Sequence, residues 1–193
     1  MTKQSSKKKT NLNYGIILGV LLSLFTAYSY AIDNSMYFNY WMLGLLLLSV
    51  PILGLIAILG EKKMLGGYIS FKEALKNYTI TIALGLLIST LTSILIFNVV
   101  DTNFYKVVQQ IQIDGIEKQK ENTLQRLYKN NSSESSIERT ENSFDDAIDK
   151  MKTTNQFTIV AQIKSFFKSV ATYLIFGLIL SAIFKKKDLN QEY

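Results

Sequence analysis

The side chains best suited to chemistry in this chain are carboxylates. Glu141, Asp145, Asp146 and Asp149 crowd into one short polar stretch. Such a cluster could hold a divalent cation or, together with Asp101, share acid–base work at a membrane face. It lacks the EF-hand pattern, and a solvated helix face explains a run of this kind more simply. A second polar group, Ser89, Thr90, Thr92, Ser93 and Asn98, interrupts an apolar run. Its hydroxyls and amide would hydrogen-bond between helices or, in a rival reading, line a conduction path. Gly66-Gly67 is not a phosphate loop, because no Gly-Lys-Ser/Thr follows and no strand precedes it. The formal glycosylation sequons in Asn130-Asn131-Ser132-Ser133 would matter only in a eukaryotic secretory setting. There is no His and no Cys in the chain. That excludes Ser-His-Asp and Cys-His catalysis, thiolate metal cages and His-ligated haem. No catalytic, cofactor-binding or metal-ligating residue is assigned, and no cofactor is expected.

The elements that must position these groups are set by segregation of apolar residues. Of 193 residues 48% are hydrophobic, yet 21 are basic and 15 acidic, so the apolar ones must lie in blocks. A bilayer core of about 30 Å needs about 20 residues of apolar helix. Four stretches qualify: 14–32, 37–60, 78–100 and 165–184, the last with Lys164 and Lys168 snorkelling to the interface. The predicted fold class is therefore all-α, a polytopic bundle of four transmembrane helices with an extramembrane helical hairpin between helices 3 and 4. Its parts are a basic tail (1–13), helices 1–3 (14–100), the hairpin segment (101–164), helix 4 (165–184) and a second tail (185–193).

Lys3, Lys7, Lys8 and Lys9, then Lys62, Lys63, Lys72 and Lys76, then Lys185, Lys186 and Lys187 fall on one side of a four-span chain. The positive-inside rule makes that side, with both termini, cytoplasmic. The first span also resembles a signal peptide, with Ser29 and Ala31 as small residues before a cleavage point. Its length exceeds an ordinary signal h-region, so retention is expected.

Small residues recur every four positions in three spans. Helix 1 carries Gly15, Gly19, Ser23, Ala27 and Ala31; helix 3 carries Thr81, Gly85, Ser89 and Ser93; helix 4 carries Ser165, Ser169, Gly177 and Ser181, with Tyr173 interrupting. Each set makes one face and admits close backbone approach. The expected role is intramolecular packing; a homodimer through Gly15 and Gly19 is the rival. No span has a charge in its interior, which argues against a proton-coupled pump. Pro51, helped by Gly54, should kink helix 2.

Outside the spans, Ser70 with Glu73 reads as a capping box, starting a helix at Phe71 with Phe71, Ala74, Leu75 and Tyr78 on one face. Phe104, Val107, Val108, Ile111, Leu124, Leu127 and Tyr128 predict a helix over 103–129, weakened at Asp114-Gly115. After the loop signal at 130–133, Ile137, Phe144, Ala147, Ile148 and Met151 predict a second helix. The two should pack as an antiparallel hairpin too small for a core of its own, leaning on the bundle or on a partner.

Four segments in order carry a family resemblance: Asn13-Tyr14-Gly15-Ile16-Ile17-Leu18-Gly19, Gly67-Tyr68-Ile69-Ser70-Phe71-Lys72-Glu73-Ala74, Val100-Asp101-Thr102-Asn103-Phe104, and the run from Gly177 to Lys186. Over about residues 11–187 the chain resembles the bacterial membrane family catalogued as domain of unknown function 4199. It departs at Thr102, where members often have Pro. The resemblance implies a four-helix protein of an inner membrane and no catalytic residues. The expected activity is non-enzymatic, a scaffold or modulator acting through helix packing and the outer hairpin; the rival is a small transporter or channel subunit forming a pore as an oligomer. Expected partners are the lipid bilayer and a membrane protein or a second copy; nucleic acid is not expected, the basic tail serving topology and anionic headgroups.

Overall fold

The computed structural model describes residues 2–186; side chains are described from Asn11 onward, except Phe38 and Tyr40. The side chains of Lys3, Lys7, Lys8 and Lys9, and all of Lys187, lie outside that description. The chain is all-helical. Its helices are α1 (Thr2–Ala31), α2 (Tyr40–Met64), α3 (Phe71–Leu95), α4 (Phe104–Lys129), α5 (Glu134–Thr153) and α6 (Ile159–Phe184). A 3-10 turn (Asn34–Phe38) joins α1 to α2, and a π-helical turn (Ile96–Val100) extends α3.

Four segments are long and apolar enough to cross a membrane: Asn11–Ala31, Trp41–Met64, Phe71–Val100 and Ile159–Phe184. Their outward faces are apolar; Leu24, Leu45 and Val160 are each over 60% exposed. A soluble protein does not leave so many large apolar side chains in contiguous belts, whereas lipid accepts them. Helix begins at Thr2 rather than near residue 14, and α6 begins at Ile159, six residues before the expected Ser165. Thr158 explains the second difference: its hydroxyl accepts from the Ala161 N–H at 3.2 Å and caps the helix upstream of the uncharged run.

The expected capping box is formed. The Glu73 N–H donates to Ser70 Oγ, the Ser70 N–H donates to Glu73, and α3 starts at Phe71. Gly66 and Gly67, at φ +75° and +94°, make the turn before it in a backbone region that side chains disfavour. The hairpin helices α4 and α5 are both present. However, α4 runs unbroken through Asp114-Gly115, where weakening was expected; Ile113 just before them is buried, and tertiary contact outweighs one glycine's propensity.

In the bundle α3 is central, packing against α1, α2 and α6. The α1–α3 crossing is close: a methyl group added at Gly19 would sit 2.6 Å from Ile88 Cβ, and one at Gly15 would sit 3.0 Å from Leu84 Cβ. Tyr78 of α3 is fully buried with its ring between Gly54 of α2 and Gly177 of α6, neither of which leaves room for a methyl group. Pro51 removes the N–H that would bond the Leu47 carbonyl; Tyr173 of α6 donates its hydroxyl to that oxygen at 3.4 Å. The residue that interrupts the small stripe of α6 thus satisfies the carbonyl that proline frees.

The end of the bundle away from the hairpin is tied by polar contacts. Asn11 Nδ2 donates to Asn77 Oδ1, and Thr81 donates to the Asn11 carbonyl. Lys62 donates to the Phe184 carbonyl at 2.9 Å, capping α6, and Ile69 and Lys186 form an antiparallel bridge.

Candidate functional site

At the hairpin end, aromatic rings join the bundle to α4. Phe97 of the π turn stacks on Phe157 (4.2 Å between centroids) and on Phe104 (5.3 Å), while Tyr30 and Tyr37 meet Phe104 edge-on. Asp101 accepts from the N–H groups of Asn103 and Phe104, turning the chain into α4. Asn98 donates to the Phe157 carbonyl at 3.0 Å, fastening the α5–α6 connection to α3. Tyr37, expected at the start of the second span, lies instead in the 3-10 turn before Trp41–Met64, and burial among these rings pushes its phenol pKa up to about 12.

Beneath this cluster lies a cavity of about 360 Å³. Ser89, Thr90, Ser93 and Leu86 of α3 form one wall and Thr26 of α1 adds to it. Ser165, Ser169, Gln162 and Phe166 of α6 form the opposite wall. Gln112 of α4 and Gln156 and Phe157 of the connection complete the lining next to the hairpin. Six hydroxyls and three amides thus surround the space, and none of its lining side chains is ionisable. Gln162 is 7% exposed and donates to the Phe157 carbonyl, and the carbonyl oxygen of the Gln112 side chain is buried with no hydrogen-bond donor. Gln156 and Ser165 are exposed at the edge, so the cavity opens to the surface. Ser169 lies ten residues, about 15 Å, along α6 from Ile159, so the space reaches well into the bundle.

The small-residue faces therefore divide. Gly15, Gly19 and Gly85 hold α1 against α3, with Leu18 filling the space at Gly85, so the face considered for a dimer is covered from within the chain. Ser23 bonds Thr92 across the same pair at 2.9 Å. Ala27, expected on that packing face, is exposed instead. Ser89 and Ser93 face the cavity instead of a neighbouring backbone. Gly177 receives Tyr78, and Ser181 is fully buried. The polar patch of α3 splits likewise: Thr92 and Asn98 bond between elements, while Ser89, Thr90 and Ser93 line the space.

The acidic cluster is not gathered into a site. Glu141 and Asp145 both pair with Lys120 of α4, at 3.1 and 2.8 Å, and Asp145's hydrogen bond raises the Lys120 ammonium pKa. Asp101 serves as the turn cap described above. Among the described residues no group of three or more carboxylates could hold a metal ion.

Gln112, Gln156, Gln162 and the Tyr78–Gly54–Gly177 contact were not singled out from sequence. A signal for Gln112 existed: it follows Phe104 and Val108 at intervals of four, a polar side chain on the buried face of α4. Gln162, Ser165 and Ser169 likewise share one face of a membrane helix, where polar groups call for partners.

Four apolar helices, a polar notch among them and a helical pair across one end define a multi-pass helical membrane protein. Residues 13–186 match the family described as protein of unknown function (DUF4199), and the chain belongs to that family. No curated protein and no solved structure matches it.

Proposed function

We propose that this is a non-enzymatic protein of a bacterial inner membrane, with both termini cytoplasmic, that scaffolds or modulates a membrane partner through its outer hairpin. The observation that carries this reading is how the hairpin is attached. It is fastened at its base by the Phe97–Phe104–Phe157 stack, while farther out α4 is tied to α5 by Lys120. There the two helices leave a groove of about 440 Å³ between Ile116 and Gln119 of α4 and Arg139, Phe144 and Ala147 of α5. A paired helical arm with an unfilled groove suits recognition of another polypeptide.

A photocrosslinking residue at Phe144, in intact cells, tests this. A discrete protein adduct that disappears with Ile116→Asp supports the scaffold. The second reading, a small transporter or channel subunit, draws support from the polar cavity. Ion flux in proteoliposomes above empty vesicles, with no adduct, would overturn the scaffold in its favour. The orientation has its own test in this Cys-free chain: Ser133→Cys treated with an impermeant maleimide. Labelling of intact spheroplasts supports an outward hairpin; labelling only after lysis inverts it.

A further inference from the structure

We infer that the cavity under the hairpin is a binding site for a neutral, hydroxyl-rich molecule of about the size of a sugar ring. Its volume, about 360 Å³, falls in the range of small-molecule pockets. The chemistry of its walls restricts the occupant. A phosphate, carboxylate or ammonium group would enter low-dielectric surroundings with no counter-charge, since the lining has no ionisable side chain. A bare metal cation needs oxygens converging to about 2.3–2.6 Å, and a space this wide holds them apart. An apolar occupant such as a lipid chain would leave the hydroxyls of Ser89, Thr90 and Ser93 dehydrated at a cost for each, whereas Thr26 and Gln162 keep partners within the chain.

What remains is a molecule that both donates and accepts hydrogen bonds without charge. Ser89 and Ser93 offer hydroxyls that can both donate and accept, and Gln112 adds its amide to the lining. Phe157 and Phe166 supply apolar surface of the kind that receives the C–H face of a sugar. Two sources share this chemistry: a free sugar or polyol arriving through the edge at Gln156, and the sugar headgroup of a neutral glycolipid arriving from the bilayer. The site does not depend on the hairpin having a protein partner.

The test uses the full chain in phosphatidylcholine nanodiscs carrying Ser93→Cys as its sole cysteine. The rate of modification by a small water-soluble methanethiosulfonate is measured alone, with glucose, with monoglucosyl diacylglycerol in the disc, and with phosphatidylglycerol in the disc. A protecting ligand lowers the rate by 1 + [L]/Kd, about tenfold at ten times Kd. Protection by glucose assigns a free sugar, and protection by the glycolipid alone assigns a headgroup; either supports the site. The thermal midpoint of the wild-type chain should rise with the same ligand and stay put in Ser89→Leu, which fills the space. Equal rates in all four conditions with no midpoint shift would mean that water alone fills the cavity and would overturn the inference. Protection by phosphatidylglycerol alone overturns it as well. A cysteine that never reacts, with no midpoint shift for either sugar, does so too.

Discussion

One helical turn of α3 separates Gly85 from Ser89, and the two mark opposite regimes. Gly85 lies where α1 and α3 touch, with Leu18 pressed into the space a side chain would take. Ser89 lies where the helices part and polar side chains face a void. The half of the bundle around Tyr78 is close-packed, and the Leu47 carbonyl freed by Pro51 receives the Tyr173 hydroxyl. The half under the hairpin is open, hydroxyl-lined and roofed by side chains from α4 and the α5–α6 connection. Lipid supplies no hydrophobic drive between helices, so a gap persists wherever close packing is not enforced. Packing secures the first region and leaves the second free for a ligand.

The contrast can be broken most forcefully at its closed end. Tyr78→Ala should destabilise the bundle by about 3–5 kcal/mol, by loss of the largest fully buried side chain. Reversible unfolding in mixed micelles would measure it, and a change under about 1 kcal/mol would deny Tyr78 its central role. Next in size comes a matched pair. Gly85→Val should cost about 1–3 kcal/mol by overpacking against Leu18, whereas Ser89→Val, one turn on, should be neutral or stabilising by up to about 2 kcal/mol. Equal penalties would erase the distinction between the two regions.

At the junction, Asn98→Leu removes the bond to the Phe157 carbonyl and should cost about 0.6–1.5 kcal/mol. Hydrogen exchange should quicken at the α5–α6 connection and stay unchanged around Tyr78. The mildest effect is one of pH. The Tyr37 phenol is raised from 10.0 to about 12 in the folded protein. Folding therefore favours its neutral form: the contribution is complete below pH 10 and is lost as pH climbs toward about 12. Solvent access to this half-buried ring keeps the effect small. The Tyr37→Phe chain should lose less stability than wild type between those values; parallel pH curves would show that the ring is not held in the aromatic cluster.

Legibility differed between the same regions. Uncharged runs announced the four spans because bilayer thickness fixes a length that local composition must meet. Ser70 and Glu73 announced the start of α3 because a capping box is closed within one turn. The small stripes announced which face of each helix was special, yet a period of four says nothing of what that face meets. Gly15 and Gly19 meet α3, Ala27 is exposed, and Ser89 and Ser93 meet a cavity. Asn11 and Asn77, distant in sequence, join only because α1 and α3 cross.

By itself, then, the sequence determined the helices, their membrane-spanning character and the hairpin between the third and fourth spans, since each follows from interactions within a few turns of chain. Tertiary structure alone decided that Tyr78 fills the space offered by Gly54 and Gly177, that Tyr173 answers the carbonyl freed by Pro51, and that Gln112 of the hairpin and Ser89 of the bundle line one cavity. Those pairings depend on the distances and rotations between helices, which no single helix's periodicity encodes.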